Sequence, residues 1–537
     1  MSPARLAQTA SFLLFAVLLY LAAFPLVPRL PVDAFLRLDP AAALAAMLAG
    51  RTWIPAFGSA LLIVGATALL GRFFCGWVCP LGATLDVADR WTGRRGKGRF
   101  QRLAAWRPVK YQILLALAMG ALLGVSLVFL VSPLALAIRF YGLLVNAAID
   151  AAADALVEGI RPLARSLQWS PLVYADPEVP RFSLQVASLT IMALILAAGR
   201  LAPRFWCRCL CPAGALFALA AARPLWRRAV SAACIDCGRC QRACPMGAIA
   251  EDPRRTAHGE CIVCQTCVHV CPTAAVTFPL SWSSSPLPAQ PERLGRRQAI
   301  GAASAGAGLA LLAMIDPAWP AGHDAAAGEG TGRLLRPPGA VPETDFLRRC
   351  IGCGLCMKAC PTNTLQPAGT AAGLSGIFSP RLAPRIGACE PACNACSQVC
   401  PTGAIRPLPL EEKTRAKIGT AFILRHKCIA WEMNRPCLVC DEVCPYDAIA
   451  LRRVPDLTVA VPFVDETRCS GCGLCHHHCP VRPDAAIVVE PVGALRLAEG
   501  SYRDTARRLG LSLELKPPAP PVPPPAAGQG LPPGFTP

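Results

Sequence analysis

Six times along its 537 residues the chain sets four cysteines close together and closes the group on Cys-Pro. The first two groups are Cys234-x2-Cys237-x2-Cys240-x3-Cys244-Pro and Cys261-x2-Cys264-x2-Cys267-x3-Cys271-Pro. Four more follow: Cys350-x2-Cys353-x2-Cys356-x3-Cys360-Pro, Cys389-x3-Cys393-x2-Cys396-x3-Cys400-Pro, Cys428-x8-Cys437-x2-Cys440-x3-Cys444-Pro and Cys469-x2-Cys472-x2-Cys475-x3-Cys479-Pro. The total of 29 cysteines is odd, which excludes complete internal disulfide pairing, and tight grouping marks metal ligands. A cubane iron–sulfur cluster needs four thiolates converging on one small volume; a tight loop supplies three, and the fourth comes from the partner motif.

Crossed ligation then defines six [4Fe-4S] clusters. In the first pair these are Cys234, Cys237, Cys240 with Cys271, and Cys261, Cys264, Cys267 with Cys244. The later motifs provide Cys350, Cys353, Cys356 with Cys400; Cys389, Cys393, Cys396 with Cys360; Cys428, Cys437, Cys440 with Cys479; and Cys469, Cys472, Cys475 with Cys444. Four-sulfur sites also suit structural zinc, which the paired, crossed tetrads disfavour. The enlarged spacings before Cys393 and Cys437 read as loops lengthened ahead of a retained turn. Gly352, Gly354, Gly471 and Gly473 are expected to let backbone amides approach the clusters. Cys472-Gly-Leu-Cys475-His476 has the form of a c-type haem site, but both cysteines already belong to a tetrad. His476, His477 and His478 are read as a polar patch. No dinucleotide glycine fingerprint and no Ser/His/Asp arrangement is present, so no catalytic residues are assigned.

A mean hydropathy of +0.42 with 54% hydrophobic residues is too apolar for a soluble protein. Four apolar runs, Leu6–Phe24, Trp53–Gly71, Tyr111–Val131 and Phe182–Gly199, approach the ~20 residues that a helix needs to cross a bilayer. The first reads as an uncleaved anchor, because no clean signal-peptide exit follows it. The segment Arg72–Lys110, which includes Arg90, Arg94, Arg95, Lys97 and Arg99, carries nine Lys or Arg, against four in Ser132–Arg181. By the positive-inside rule the first is cytoplasmic and the second outside. The formal charge of +19 therefore reports topology, and no nucleic-acid partner is expected. Leu134–Ile149 is assigned to the outer interface, a fifth span there being disfavoured.

At the cytoplasmic edge of two spans a shorter motif occurs twice: Arg72-Phe-Phe-Cys75-Gly-Trp-Val-Cys79-Pro-Leu-Gly and Arg204-Phe-Trp-Cys207-Arg-Cys209-Leu-Cys211-Pro-Ala-Gly. Each pair, at i,i+4, is placed on one face of a helical turn. Cys75, Cys79, Cys207 and Cys211 together make four thiolates, open to a seventh cluster, to a redox or quinol-proximal role, or to plain packing. Cys209 is given no role.

Arg296-Arg297 followed by the Ala/Gly-rich run Ala299–Ile315 has the form of a twin-arginine export signal within the chain. It reads as a fifth membrane helix, with a small-residue linker as the alternative, and it places everything after it in the periplasm. Residues 317–345 are read as a tether, Ser501–Lys516 as a short amphipathic helix and the end from Pro517 as a Pro-rich tail.

The spans, the two Cys-x3-Cys-Pro motifs and the paired tetrads of residues 1–280 resemble the NapH-type membrane ferredoxins. Residues 292–490 resemble the exported NapG and MauM type, in the lead-in Leu335-Arg-Pro-Pro-Gly-Ala-Val-Pro-Glu-Thr-Asp-Phe-Leu and in the long Cys428-to-Cys437 spacing. The present chain departs by joining both in one polypeptide. The expected fold is an α-helical membrane anchor (1–205) followed by α+β bacterial-type 2[4Fe-4S] ferredoxin domains. These are a cytoplasmic one at 206–280, then, after the segment 292–316, a periplasmic four-cluster domain at 346–490 and a tail at 491–537. The resemblance implies an electron carrier of the bacterial inner membrane. Membrane quinol would be the donor; a periplasmic redox partner such as nitrate reductase, with or without a c-type cytochrome, would be the acceptor. The MauM likeness implies the alternative of a maturation factor for a periplasmic metalloenzyme or methylamine dehydrogenase.

Overall fold

The computed structural model describes residues 3–27, 30–92, 106–175, 179–280, 294–315 and 334–517. Arg94, Arg95, Lys97 and Arg99, most of the tether and nearly all of the Pro-rich tail lie outside them.

All four apolar runs form helices: Pro3–Leu21, Gly58–Leu70 entered through a 3-10 turn at Pro55–Phe57, Val109–Leu122 and Gln185–Ala198. Only the first of these has the length and apolarity to cross a membrane as one regular helix; Pro133–Ser166 and Arg296–Ile315 also do. Assigning Leu134–Ile149 to the interface therefore misses a 34-residue helical stretch. Arg139, the one charge in that run, is tucked inside at 2% exposure, where a π-helical segment, Arg139–Val145, widens the turn around it. Beyond Asn146 the stretch becomes amphipathic, and Leu156, Leu163 and Leu167 are exposed.

Between the long helices lie shorter ones that the hydropathy runs do not reveal. Pro40–Gly50, rich in alanine, is capped by Asp39, which accepts the Ala41 and Ala42 amides and the Ser132 hydroxyl. Small side chains let this helix pack against both Val109–Leu122 and Pro212–Ala220. Exposed Leu61, Leu62, Leu69, Val186 and Leu194 form the outward, lipid-suited face of the bundle.

Helix Arg296–Ile315 runs parallel to Val109–Leu122. Gly306 rests on the Ala116 backbone, and farther along Ala310 and Ala313 pack on Val125. Buried Ala302, Gly306, Ala310 and Ala313 make a stripe of small residues, which allows the close backbone approach typical of helices in lipid.

The two cysteine-rich units are small α+β domains at opposite ends of this bundle. Glu260 of the first unit takes Lys110 at the start of Val109–Leu122, while Arg348 of the second lies against Gly124 just past its end. Each motif pair is clasped where the chain enters and leaves it. In the first unit β1 (Ala229–Val230) pairs antiparallel with β2 (Val276–Thr277). In the second, a bridge joins Ala340 to Ile405 around the first pair, which also contains the hairpin of β3 (Leu365–Pro367) and β4 (Pro380–Leu382). Around the last pair β5 (Thr420–Ile423) pairs with β8 (Ile487–Glu490), enclosing β6 (Ile449–Arg453) and β7 (Ala460–Val464). The halves of the second unit are sewn together by Cys389 N–H to the Cys472 carbonyl and Ile418 N–H to the Ser470 carbonyl. Arg385 adds bonds to the carbonyls of Cys479 and Val481.

Candidate metal centres

A four-thiolate site is built where a loop supplies three cysteines and a neighbouring Cys-Pro turn the fourth. One cavity is lined by Cys350, Cys353, Cys356 and Cys400, and a second by Cys428, Cys437, Cys440 and Cys479. A third is lined by Cys444, Cys469, Cys472 and Cys475. Cys396 lies within electrostatic reach of Cys360, Cys389 and Cys393, and Cys261 of Cys244, Cys264 and Cys267. In the first unit Cys240, Cys267 and Cys271 share a small apolar cluster, while Cys234 and Cys237 are less buried than Cys240.

Among the described residues no three Cys, His, Asp or Glu side chains converge tightly enough for a single metal ion. Zinc bonded to four sulfurs at ~2.3 Å would need that convergence. The wider cages fit a four-iron cube. Burial pushes the thiols of Cys350, Cys353, Cys440 and Cys472 up to about 12, so these donors become thiolates at neutral pH only with a cation among them.

Buried cations attend most cages. Arg228 donates to Cys240 Sγ at 3.5 Å, Lys413 lies beside Cys389, Lys417 beside Cys469, and Arg139 of the membrane bundle beside Cys353. Arg139 also stacks on Phe378, 4.2 Å from the ring centroid, and donates to the Phe129 carbonyl. The Cys428 cage instead meets apolar side chains, including Ile423, Ile429, Val481 and Ile487. His476 accepts the Val489 amide and His478 contacts the Leu474 carbonyl, so both serve the local backbone.

In the four regular motifs two residues take left-handed backbone: Asp236 and Gly238, Val263 and Gln265, Gly352 and Gly354, Gly471 and Gly473. These positions precede and follow the second cysteine, where the loop must curl its amides inward. The lengthened motifs lack the pair: Asn394 and Leu438, each following the second cysteine, keep negative φ. The extra residues before Cys393 and Cys437 replace the tight curl instead of merely preceding it.

The four membrane-edge cysteines come together, and Cys209 does not join them. Cys211 is within electrostatic reach of Cys75, Cys79 and Cys207. Cys209 packs with Ala202 and Phe205. Neither pair lies on a continuous α-helical turn. Cys75 sits in the short helix Phe73–Trp77 and Cys79 just before Pro80–Thr92; Cys207 sits in a π-helical segment, and extended Cys211 caps Pro212–Ala220. Proline at the first position of each following helix breaks the preceding turn there. Two residues that the cysteine search overlooks complete this site. Arg72 and Arg204, 0% and 1% exposed, each stand three positions before the first cysteine of their copy. That repeated spacing is the signal by which they are recognisable in the sequence.

Sequence comparison matches iron–sulfur families to several segments of the chain. Families described as 4Fe-4S binding domains match residues 52–97, 184–229 and 462–483, and 4Fe-4S dicluster domains match 228–278 and 349–404. The chain is 36% identical over 219 residues to the methylamine utilization ferredoxin-type protein MauM of Methylorubrum extorquens, covering 38% of this chain and 92% of that protein. It is 36% identical over 200 residues to MauM of Paracoccus denitrificans, covering 36% of this chain and 83% of the relative. With the ferredoxin-type protein NapG of Escherichia coli it shares 37% identity over 180 residues, 32% of this chain and 74% of the relative. No solved structure matches. The chain therefore belongs to the family of ferredoxin-type iron–sulfur proteins that includes MauM and NapG, and acts in membrane-linked electron transfer.

Proposed function

We propose that this chain is an inner-membrane fusion of a NapH-type anchor with a NapG/MauM-type polyferredoxin, carrying electrons from the quinol pool to a periplasmic oxidoreductase. The observation that carries this reading is the seating of two cysteine-rich units at opposite ends of one helical bundle. With the positive loop Arg72–Lys110 on the cytoplasmic side, the first unit faces the cytoplasm and the second the periplasm.

The six crossed tetrads hold one [4Fe-4S] cluster each, a one-electron carrier whose potential depends on net charge, hydrogen bonds to sulfur and burial. The residues of the chain set those terms. Amides such as Ala448 N–H to Cys444 Sγ (3.3 Å) and Ala486 N–H to Cys479 Sγ (3.3 Å) stabilise negative sulfur, and Lys413, Lys417 and Arg228 oppose the cluster charge. Such a chain needs no substrate chemistry of its own beyond oxidation of quinol at the membrane. The acceptor is a soluble periplasmic redox protein such as nitrate reductase or a c-type cytochrome.

Mixing the cluster-loaded protein with a reduced menaquinol analogue tests the donor. Clusters should become reduced within seconds, followed by EPR; clusters that stay oxidised would rule out quinol. The methylamine utilization relatives support a second reading, redox activation of a periplasmic metalloenzyme during its maturation. Activity of that enzyme dependent on this protein only during its synthesis, and not afterwards, would select it.

A further inference from the structure

The first unit and the second meet opposite ends of Val109–Leu122, a helix that with its flanks bridges about 21 Å. Electron transfer slows steeply with distance, so a chain with carriers at both ends requires something between them. The motif of the four membrane-edge cysteines stands at the first unit's side of that gap, against Ile262 and Val263.

Their surroundings form a built, two-fold-like cradle. Each arginine crosses to the other copy of the motif. Arg204 donates to the carbonyls of Cys75 (2.8 Å) and Gly82 (3.4 Å), and a Cβ on Gly214 would stand 2.9 Å from Arg72 Nη2. The glycine after each Cys-Pro turns its amide to sulfur: Gly214 N–H bonds Cys211 Sγ at 3.3 Å, and Gly82 N–H bonds Cys79. Charge completes the pattern. Glu260 takes both Arg72 and Lys110, one carboxylate against two cations, and Arg72 Nε and Nη2 are buried without a hydrogen-bond partner. A buried cation of this kind needs an anion, and four thiolates around a four-iron cube carry net negative charge.

The cradle touches both units. Toward the first, Gly76 abuts the Ile262 carbonyl, Trp77 Nε1 donates to the Val263 carbonyl (3.0 Å), and Arg204 lies within electrostatic reach of both Cys207 and Cys264. Ile262 and Val263 are the residues between Cys261 and Cys264. Toward the second, Thr84 of helix Pro80–Thr92 bonds Tyr141 Oη at 2.8 Å. Tyr141 shares its π-helical segment with Arg139 and Leu143, against which Gly354 of the Cys353 cage is packed.

We propose that Cys75, Cys79, Cys207 and Cys211 hold a further [4Fe-4S] cluster inside the bundle, with Arg72 as its counter-charge and Arg204, paired with Asp86, bracing the backbone of the other motif copy. It relays electrons between the Cys261 cage of the first unit and the Cys353 cage of the second. One electron passes from the first unit to this cluster and on to the second unit, each cluster cycling between its 2+ and 1+ forms. No bond is made or broken and no proton moves. The relay rests on the two units facing opposite sides of the membrane, and not on quinol being the donor.

Iron and sulfide analysis of the purified full chain is the first test. About 28 irons per chain are expected for seven four-iron clusters, falling to about 24 in the Cys79→Ser, Cys211→Ser double variant and unchanged in Cys209→Ser. A wild-type count of about 24 overturns the cluster whatever the variants do. The relay is then read in sealed vesicles with the first unit outward, where a membrane-impermeant reductant is added and the second unit's clusters are followed by EPR. Their reduction should be at least 100-fold slower in the double variant. An unchanged rate, with the variant's remaining 24 irons in place, overturns the relay. Because the reductant replaces quinol, failure of the quinol reading leaves both results interpretable.

Discussion

Backbone conformation at single residues divides into positions the clusters impose and positions the sequence accommodates. Three residues past the last cysteine, five of the six motifs turn left-handed, at Gly247, Ala274, Asn363, Gly403 and Asp447. Gly, Asn and Asp tolerate that region, whereas alanine pays for its Cβ there. Ala274 is exposed, so Ala274→Gly removes the strain without losing packing and should stabilise the first unit by about 1 kcal/mol or less. Gly473 is the opposite case: with φ +86 and Pro384 2.8 Å from where a Cβ would stand, Gly473→Ala should cost about 1–3 kcal/mol. Thermal unfolding followed by cluster absorbance checks both. Glu343 gives a pH-dependent counterpart. Arg336 and Arg496 hold its carboxyl below the ordinary value, against the opposing effect of burial. Because the folded value is depressed, the stabilisation is complete above the ordinary carboxylate range near ~4.3 and disappears as pH falls through the folded value. Glu343→Gln should cost about 3 kcal/mol at neutral pH, by leaving the cations underpaired, and should flatten stability against pH below that range. Urea unfolding across pH 3–7 measures it; a variant as stable as wild type at pH 7 would contradict the role given to this pair.

At the scale of elements, the iron–sulfur character of the cysteine groups and four of the apolar runs are legible because each rests on a local pattern: cysteine spacing in one case, hydropathy in the other. What escapes local reading depends on partners distant in sequence. Pro40–Gly50 is short and alanine-rich, and becomes an inner helix only because Asp39 and Ser132 tie its start and Val109–Leu122 covers its face. Leu134–Ile149 looks interfacial because of Arg139, yet that guanidinium finds the Phe129 carbonyl ten residues back and Phe378 and Cys353 more than 200 residues away. The roles of Arg72 and Arg204 are hidden in the same way, since their partners lie on the other copy of the motif. Helix Arg296–Ile315 illustrates the reverse: its Ala- and Gly-rich sequence leaves a linker open, but its small-residue stripe is what fits it to Val109–Leu122. Gly306→Leu would drive a side chain into the Ala116 backbone and should destabilise the bundle by about 1–3 kcal/mol. Gly308→Leu, where nothing lies within 4 Å of an added Cβ, should leave it unchanged. Equal melting temperatures for the two variants in detergent would contradict this packing.

For the whole molecule, the order of parts along the chain and the order of contacts across the bundle have to agree. The first unit follows Gln185–Ala198 and sits where Val109–Leu122 begins; the second follows Arg296–Ile315 and sits where Val109–Leu122 ends. Because Arg296–Ile315 runs parallel to Val109–Leu122, it takes the chain from one end to the other in a single pass. Arg296 and Arg297 remain at the first unit's end, the end that the proposed topology puts in the cytoplasm. A chain that ended both units on one side would have to turn back within the 18 residues between Ile315 and Leu334, and would leave the stripe around Gly306 without its partner. Opposite placement is therefore the arrangement that satisfies packing and charge together, and reporter fusions read it directly. A fusion after Leu280 should be active as a cytoplasmic reporter and silent as a periplasmic one, and a fusion after Val488 should do the reverse. Replacing Arg296 and Arg297 by glutamine should lower the periplasmic signal of the second fusion while leaving the first unaltered. Cytoplasmic signal from both fusions in the unmodified chain would remove the crossing by Arg296–Ile315, and with it any need for a carrier between the two units.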